Sequence, residues 1–184
     1  MIFLPNKFEI YCYFLRNTIQ HLIIKNGLKP SYIKNLTKIH KAESLFCDEI
    51  LPLDIKDFST EIFKAIFLKL IENNKQFHFK IKDIGTFLIN KKSLTSLLLI
   101  LSKNSSGIEI SVYNEKILIK AKNFSGEINI KLIKKLNGIY FYELKNHTLS
   151  ILINAPKTSK TSLETEKDWE YILNPLSVVN IYLN

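Results

Sequence analysis

The sequence predicts an α+β protein in which an antiparallel helical hairpin precedes a two-layer sandwich, a mixed β-sheet covered by helices. In two N-terminal stretches, joined by a short turn at Asn26-Gly27, apolar residues recur at intervals of four and three. Further on, an apolar helix that starts near Ser93 leads into two stretches in which apolar residues alternate with polar ones, the pattern of half-buried strands. With 184 residues, 46% of them hydrophobic, the chain can fill an ordinary core.

The hairpin is predicted from residues 8 to 50. Its first helix runs from Phe8 to Lys25, and Pro30 and Ser31 offer a start for the second. Such a hairpin cannot bury both of its faces alone, so it either pairs with a second copy in a four-helix bundle or lies across the following domain. The apolar residues that we expect at this interface are Phe8, Cys12, Leu15, Ile19, Leu22, Leu36, Ile39 and Phe46.

A turn around Leu51-Pro52-Leu53 divides the chain into a dimerisation-like hairpin, residues 1–52, and an α/β domain, residues 53–184. Asp54 is predicted to cap a helix over residues 55–73. A strand over residues 77–81 should point His78 away from the core, and a short connection from Gly85 leads to the next helix.

The central part of the α/β domain is a predicted helix from residue 93 to Asn104 and a β-hairpin with its turn at Asn114-Glu115. The following EINIKLIKKL reads as either a strand or a helix. The later predictions are a strand over 148–154, a polar loop over 155–166, a short helix around Trp169 and a last strand over 176–183.

Composition and charge exclude several classes of protein. The longest apolar runs are far shorter than the roughly 20 residues needed to span a bilayer. Without an export signal, the expected location is the cytoplasm. Cys12 and Cys47 lack metal-ligand spacing and are expected as buried free thiols. The net charge of +9 would suit nucleic acid, but the lysines are spread over the chain and Arg16 is its one arginine, which argues against that partner.

The order of elements around Asn104 resembles the ATP-binding domain of sensor histidine kinases, the GHKL ATPase fold. In that family, a helix that carries an Asn-Ala pair is followed by two strands and an Asp-x-Gly-x-Gly loop. Here Asn104-Ser105 stands for the Asn-Ala pair, and residues 122–126, Lys-Asn-Phe-Ser-Gly, stand for the glycine loop. The resemblance therefore implies a degenerate sensor histidine kinase-like protein with a fold of the histidine kinase ATPase type.

Several residues at the motif positions differ from those of the family, and these differences bear on whether ATP can bind. Asn104 fits the position of the Asn that holds Mg²⁺, although Asn is also a common residue at a helix C-terminus. Lys122 is a donor where an Asp should accept a hydrogen bond from adenine, and aligning Asn123 there instead leaves Ser125 at a glycine position. Phe124 replaces the first glycine and would fill the pocket, so that Gly126 alone is kept. We therefore expect neither ATP nor Mg²⁺ to bind.

A second glycine motif of the family would align with Leu136-Asn137-Gly138-Ile139-Tyr140, at the head of a helix. The kinases also carry a phosphoacceptor histidine in the first helix of their hairpin, and Tyr13 stands at that position here. A tyrosine phenol does not support phosphoramidate chemistry. His21 and His40 are the other candidates, and His21 lies near the same stretch of the first helix. Ordinary exposed polar positions are the competing interpretation of both.

The resemblance implies a non-catalytic signalling protein that forms a homodimer and binds a response regulator or a kinase. One alternative is a stand-alone histidine phosphotransferase that acts on a response regulator through His21. A second alternative is a basic nucleic-acid-binding protein. The sequence shows no Ser-His-Asp or Cys-His order and no paired carboxylates placed for acid-base catalysis, which argues against an independent enzyme.

Overall fold

The computed structural model describes residues 7–46, 51–54, 61–128, 130–136 and 139–159. The helices are α1 Lys7–Asn26, α2 Pro30–Phe46, α3 Glu61–Glu72, α4 Lys91–Asn104 and α5 Ile130–Lys134. The strands are β1 Leu51–Asp54, β2 Gln76–Ile81, β3 Thr86–Ile89, β4 Gly107–Tyr113, β5 Lys116–Lys122, β6 Ile139–Lys145, β7 Thr148–Asn154 and β8 Lys157–Thr158. The predicted α+β class, a mixed sheet with helices, is confirmed.

The N-terminal hairpin forms as predicted, and its two helices pack against each other. Gly27 ends α1 with a positive φ of 76°, and its N–H donates to the Ile23 carbonyl at 2.8 Å. A small separate core lies between the helices, formed by Cys12, Ile19, Ile23, Leu36 and Ile39. The free thiol of Cys12 is buried there, whereas Cys47 lies outside the described residues.

The hairpin also touches the rest of the protein, because α2 contacts α4 and α5. Within the single chain, α2 of the hairpin therefore lies on the following domain. Within the described residues, no helix combines the length and the hydropathy needed to cross a bilayer.

The larger sheet has five strands in the order β2-β4-β5-β7-β6. The pair β2 and β4 is parallel, and the other pairs are antiparallel. The turn between β4 and β5 lies at Asn114 and Glu115 as predicted, with φ values of 48° and 57°, the combination that suits the twist of a tight hairpin.

One face of this sheet, the inner face, carries the main core. Ile110, Ile119 and Ile151 stand in register on β4, β5 and β7, and each is fully buried. The apolar residues of α4 pack against this face; Leu94, Leu97, Leu98, Leu99 and Leu101 are all fully buried. The near-continuous apolar surface of α4 thus serves a helix that is enclosed on several sides.

A second sheet has three strands in the order β1-β3-β8 and corrects two predictions. Leu51 to Leu53 form no turn: they belong to β1, which pairs with β3 and spans the predicted boundary between residues 52 and 53. Asp54 ends β1 opposite Thr86, and of the helix predicted over residues 55–73 the structure describes α3, Glu61–Glu72. The connection after Gly85 proves to be the strand β3.

The third correction concerns the stretch from Leu136 to Tyr140, which the resemblance places at the head of a helix. Ile139 and Tyr140 instead begin β6, a strand at the edge of the larger sheet, and the ambiguous EINIKLIKKL contains the short helix α5. The predicted loop over 155–166 begins with the two-residue strand β8. The predicted helix around Trp169 and the last strand over 176–183 lie outside the described residues.

Asp83 ties the turn after β2 to two other segments. Its carboxylate forms an ion pair with Lys157 of β8 and accepts a hydrogen bond from the Glu115 N–H at 3.0 Å. The hydrogen bond from Lys157, followed by that from Glu115, lowers the pKa of Asp83 below its ordinary value of 3.8. The charged form of this carboxylate therefore stabilises the fold.

An Asp83→Asn variant should unfold more easily than the wild type at pH 6 to 8, by less than about 1 kcal/mol because the pair is partly exposed. A lowered pKa in the folded state stabilises the protein above the unfolded pKa, and this contribution is lost as the pH falls through the folded value. The difference should therefore shrink below about pH 4. Urea unfolding at pH 7, 5 and 3 measures it, and a difference that stays constant down to pH 3 would contradict this role.

Candidate functional site

The candidate site lies where the C-terminus of α4 meets the loop that follows β5. At its other end, α4 begins after Asn90, whose buried side chain accepts a hydrogen bond from the Ser93 N–H at 2.9 Å. At the C-terminus, the ammonium group of Lys75 donates to the carbonyls of Ser102 and Lys103, the latter at 3.1 Å. Partial burial lowers the pKa of Lys75. A cation at this position complements the negative end of the helix dipole.

The loop after β5 comprises residues 122–126 and is joined to its surroundings by backbone hydrogen bonds. The Ser125 N–H donates to the Asn104 carbonyl at 3.0 Å, and the Phe124 N–H donates to the His147 carbonyl at 2.8 Å. Asn123 has a positive φ of 51°, and its amide group donates to the Ser106 hydroxyl at 3.0 Å. The loop is thus fixed between the end of α4 and the turn that joins β6 to β7.

Asn104 and Gly126, the two residues that fit the motifs, lie against each other. A Cβ atom on Gly126 would come within 2.9 Å of Asn104 Cγ. The side-chain amide of Asn104 donates to the Ile100 carbonyl of its own helix at 2.9 Å. The absence of a side chain at Gly126 therefore leaves room for the side chain of Asn104. The Asn104 amide nitrogen is used in a hydrogen bond within α4.

The aromatic ring of Phe124 is buried, with 6% of the residue exposed, and belongs to the main core. Lys122 lies at the end of β5 and is partly buried. Its neighbour Ala121 points into the core, so alternation along the strand directs Lys122 to the opposite face of the sheet. The two residues therefore point in different directions. Lys122, at the adenine position of the motif, faces away from the core, and Phe124, at the first-glycine position, packs into it.

A Gly126→Ala variant should lose about 1 kcal/mol of unfolding free energy, because the new methyl group displaces the Asn104 side chain and its hydrogen bond. Combining it with Asn104→Gly should remove most of that loss. Chemical unfolding of the wild type, both single variants and the double variant gives the coupling free energy. Additive effects of the two changes would show that these residues do not pack together.

The candidate phosphoacceptors lie on the hairpin. His21 is exposed on α1, whereas Tyr13 and His40 lie within α1 and α2 with side chains outside the described part. Of the other two histidines, His78 on β2 is exposed as predicted, and His147 lies in the turn between β6 and β7. Among the described residues, no group of three or more His, Cys, Asp or Glu side chains could hold a metal ion.

Most of the predicted interface residues pack within the hairpin of the single chain. Cys12, Ile19, Leu36 and Ile39 are buried there, and Leu15 and Leu22 are partly buried. Phe8 and Phe46 lie in α1 and α2, but their side chains are outside the described part. Other large side chains of α1 remain exposed, among them Tyr11 at 60%, Phe14 at 63% and Ile24 at 81%.

Two features next to the site were not predicted from the sequence. The strand β6 was one, although the two-residue turn Asn146-His147 before a clear strand is a hairpin signal. The hydrogen bonds of Lys75 to the end of α4 were the other, because they join residues 27 and 28 positions apart and no local pattern announces them.

Comparisons with known proteins return structural likenesses only. No protein-family model matches the sequence, and no curated protein matches it. Among solved structures, the chain is similar to the histidine kinase AdeS of Acinetobacter baumannii, with 14% identity over 78% of this chain and 94% of that chain, at a TM-score of 0.43. It is also similar to the cytoplasmic segment of the histidine kinase QseC, with 9% identity over 67% and 89% of the two chains, at a TM-score of 0.44.

A third likeness is to the catalytic domain of the histidine kinase ThkA in a nucleotide-free form, with 12% identity over 59% of this chain and 96% of that chain, at a TM-score of 0.41. TM-scores below 0.5 at such identities do not assign a family. Function is therefore inferred from the residues of this chain.

Proposed function

We propose that this chain is a non-catalytic, histidine kinase-like signalling protein that forms a dimer, binds a regulatory partner and does not bind ATP. The observation that carries the proposal is the combination at the end of α4. Asn104 and Gly126, the two residues that fit the motifs, lie together, while Phe124, at the position of the first glycine, packs into the main core. The order α3, β2, β3, α4, β4, β5 is also the order that the resemblance implies.

The loss of ATP binding follows from what the loop residues can do. A nucleotide site of this kind needs an acceptor for the adenine amino group and a backbone that lets the phosphates approach. Lys122 can only donate, and it points to the other face of the sheet. Phe124 stands where the first glycine would be, and its ring is buried in the main core. The chain thus has the predicted helices and strands but lacks the hydrogen-bond acceptor for adenine. This combination supports a role in binding a protein partner and not ATP.

Dimerisation would use the exposed apolar side chains of α1, chiefly Tyr11 and Phe14. Large apolar side chains that protrude from a helix favour pairing with a second copy, because pairing removes their surface from water. Light scattering on the full chain should give twice the monomer mass. Phe14→Lys should shift the mass towards the monomer, whereas Phe141→Lys, a matched change at an exposed phenylalanine of β6, should not. A monomeric wild type would contradict the proposed dimer.

The alternative function is a stand-alone histidine phosphotransferase, and the exposure of His21 favours it. In this reaction the imidazole attacks the phosphorus of an aspartyl phosphate on a receiver domain; the N–P bond forms, and the aspartate carboxylate leaves. A receiver domain labelled with ³²P should then pass label to the wild type and to His147→Ala, but not to His21→Ala. Absence of label on the wild type would exclude this alternative and leave the non-catalytic binder.

Nucleic-acid binding is the second alternative, supported by the net charge of +9. It requires an affinity that falls steeply as the salt concentration rises, because counterions released from phosphates drive the association. Fluorescence anisotropy of a labelled oligonucleotide, measured at about 50 and about 200 mM salt, tests this requirement.

A further inference from the structure

The second face of the five-stranded sheet, the outer face, is basic and more exposed than the inner one. Residues that alternate with the buried ones along β4, β5 and β7 are partly buried or exposed, while their inner neighbours are fully buried. From the strand registers, the outer face carries five lysines and two glutamates: Lys80, Lys116, Lys120, Lys122 and Lys145, and Glu109 and Glu143. The surface therefore has a net positive charge.

An apolar row crosses this outer face. Leu118 of β5 pairs with Leu152 of β7, and Leu152 pairs with Phe141 of β6, so the three side chains stand side by side across three strands. The leucines are partly buried, and Phe141 is 48% exposed. Lys116 and Lys120 lie two residues before and after Leu118 on the same face of β5. The outer face thus has an apolar centre and lysines beside it.

We propose that this outer face is a docking surface for an acidic protein segment that presents apolar side chains together with carboxylates. The inference goes beyond the proposed function, which assigns no partner to the sheet, and it does not depend on the dimer or on His21. An apolar centre bordered by charged residues is the usual anatomy of a protein interface.

The charges and the apolar row identify the kind of partner. Lys120 and Lys122 point to the same side of β5 roughly 7 Å apart, the spacing of carboxylates at alternate positions of an extended chain. A single-stranded nucleic acid binds chiefly by stacking successive bases on several aromatic side chains, whereas the apolar row consists of two leucines and the ring of Phe141 at its edge. The lysines supply the attraction to either polyanion, and the leucine pair favours the protein.

The test uses the full chain and two fluorescent probes, polyglutamate and a random copolymer of glutamate and tyrosine. The wild type should bind the copolymer more tightly than polyglutamate, and both more weakly as the salt concentration rises. Lys120→Glu with Lys122→Glu should weaken binding by about tenfold, or about 1.4 kcal/mol. The matched control, Lys34→Glu with Lys38→Glu, makes the same change of charge at exposed positions of α2 and should weaken it by less than about twofold.

Two further variants separate loss of the lysine charges from repulsion by new glutamates, and the apolar contribution from the charge. Lys120→Gln with Lys122→Gln removes the charges without placing a glutamate opposite Glu109, and circular dichroism checks that each variant is folded. Phe141→Ser should abolish the preference for the copolymer while leaving polyglutamate binding unchanged. Equal effects of the sheet and the α2 variants would overturn the proposal, because net charge alone would then explain binding. Tighter binding of an oligothymidylate of equal charge, lost in the sheet variant, would also overturn it in favour of nucleic acid.

Discussion

Replacing Phe124 with alanine is expected to lower the free energy of unfolding by about 3 kcal/mol, because the ring belongs to the main core and its removal leaves a cavity. In a nucleotide-binding loop the residue at this position would be a glycine and would carry no packing energy. The decrease in unfolding free energy therefore measures how much the loop residue Phe124 contributes to the core. Urea unfolding monitored by circular dichroism measures it.

Phe141→Ala is the matched control for this change, because it removes the same ring from a side chain that is 48% exposed. It should lower the unfolding free energy by less than about 1 kcal/mol. A loss below about 1 kcal/mol for Phe124→Ala as well would mean that the ring is not packed and would contradict its place in the main core.

Ile119→Ala should be about as damaging as Phe124→Ala, with a loss of about 3 kcal/mol, since Ile119 is fully buried at the centre of β5 between β4 and β7. The adjacent Leu118 points to the outer face, and Leu118→Ala should cost less than about 1.5 kcal/mol. The contrast between neighbours tests the register directly, because a slip of one residue exchanges the two faces. Similar losses for both variants would contradict the register of β5.

Elements with a regular period were the ones that the sequence could predict. The hairpin of α1 and α2 follows from apolar residues at intervals of four and three, and the pair of β4 and β5 follows from alternation around Asn114 and Glu115. In both cases one face of the element is buried, and burial of a single face is what produces a regular pattern. The α+β class could be inferred for that reason.

The elements that escaped prediction are short or lie at an edge. The four-residue strand β1 contains Pro52, which cannot donate a ladder hydrogen bond and therefore suggested a turn; β1 is an edge strand, where a proline is tolerated. The edge strand β6 exposes apolar side chains on both of its faces, Phe141 on one and Leu144 on the other, so its sequence shows no alternation. Both strands were missed because their residues reflect a position at the edge of a sheet, and the local sequence does not encode that position.

The sequence could predict which residues stand at the motif positions of the candidate site, but not which contacts they make. Asn104 and Gly126 are the two residues that fit the family's motifs, and the structure brings them into contact. The direction of the Asn104 amide towards Ile100 and the position of Lys75 at the end of α4 depend on tertiary packing. These contacts explain why a kept asparagine need not indicate a kept metal site, since the helix itself uses its amide nitrogen.

The most direct test of the central proposal is thermal unfolding of the full chain with and without ATP and Mg²⁺. A site with a Kd of about 10 μM would add about 2.7 kcal/mol of stability at about 1 mM ATP, a shift of several degrees in the midpoint. We predict an unchanged midpoint, because Phe124 packs into the main core where the motif has a glycine and Lys122 cannot accept from adenine. A midpoint that rises with ATP concentration would show that the nucleotide site is intact and would contradict the proposed non-catalytic role.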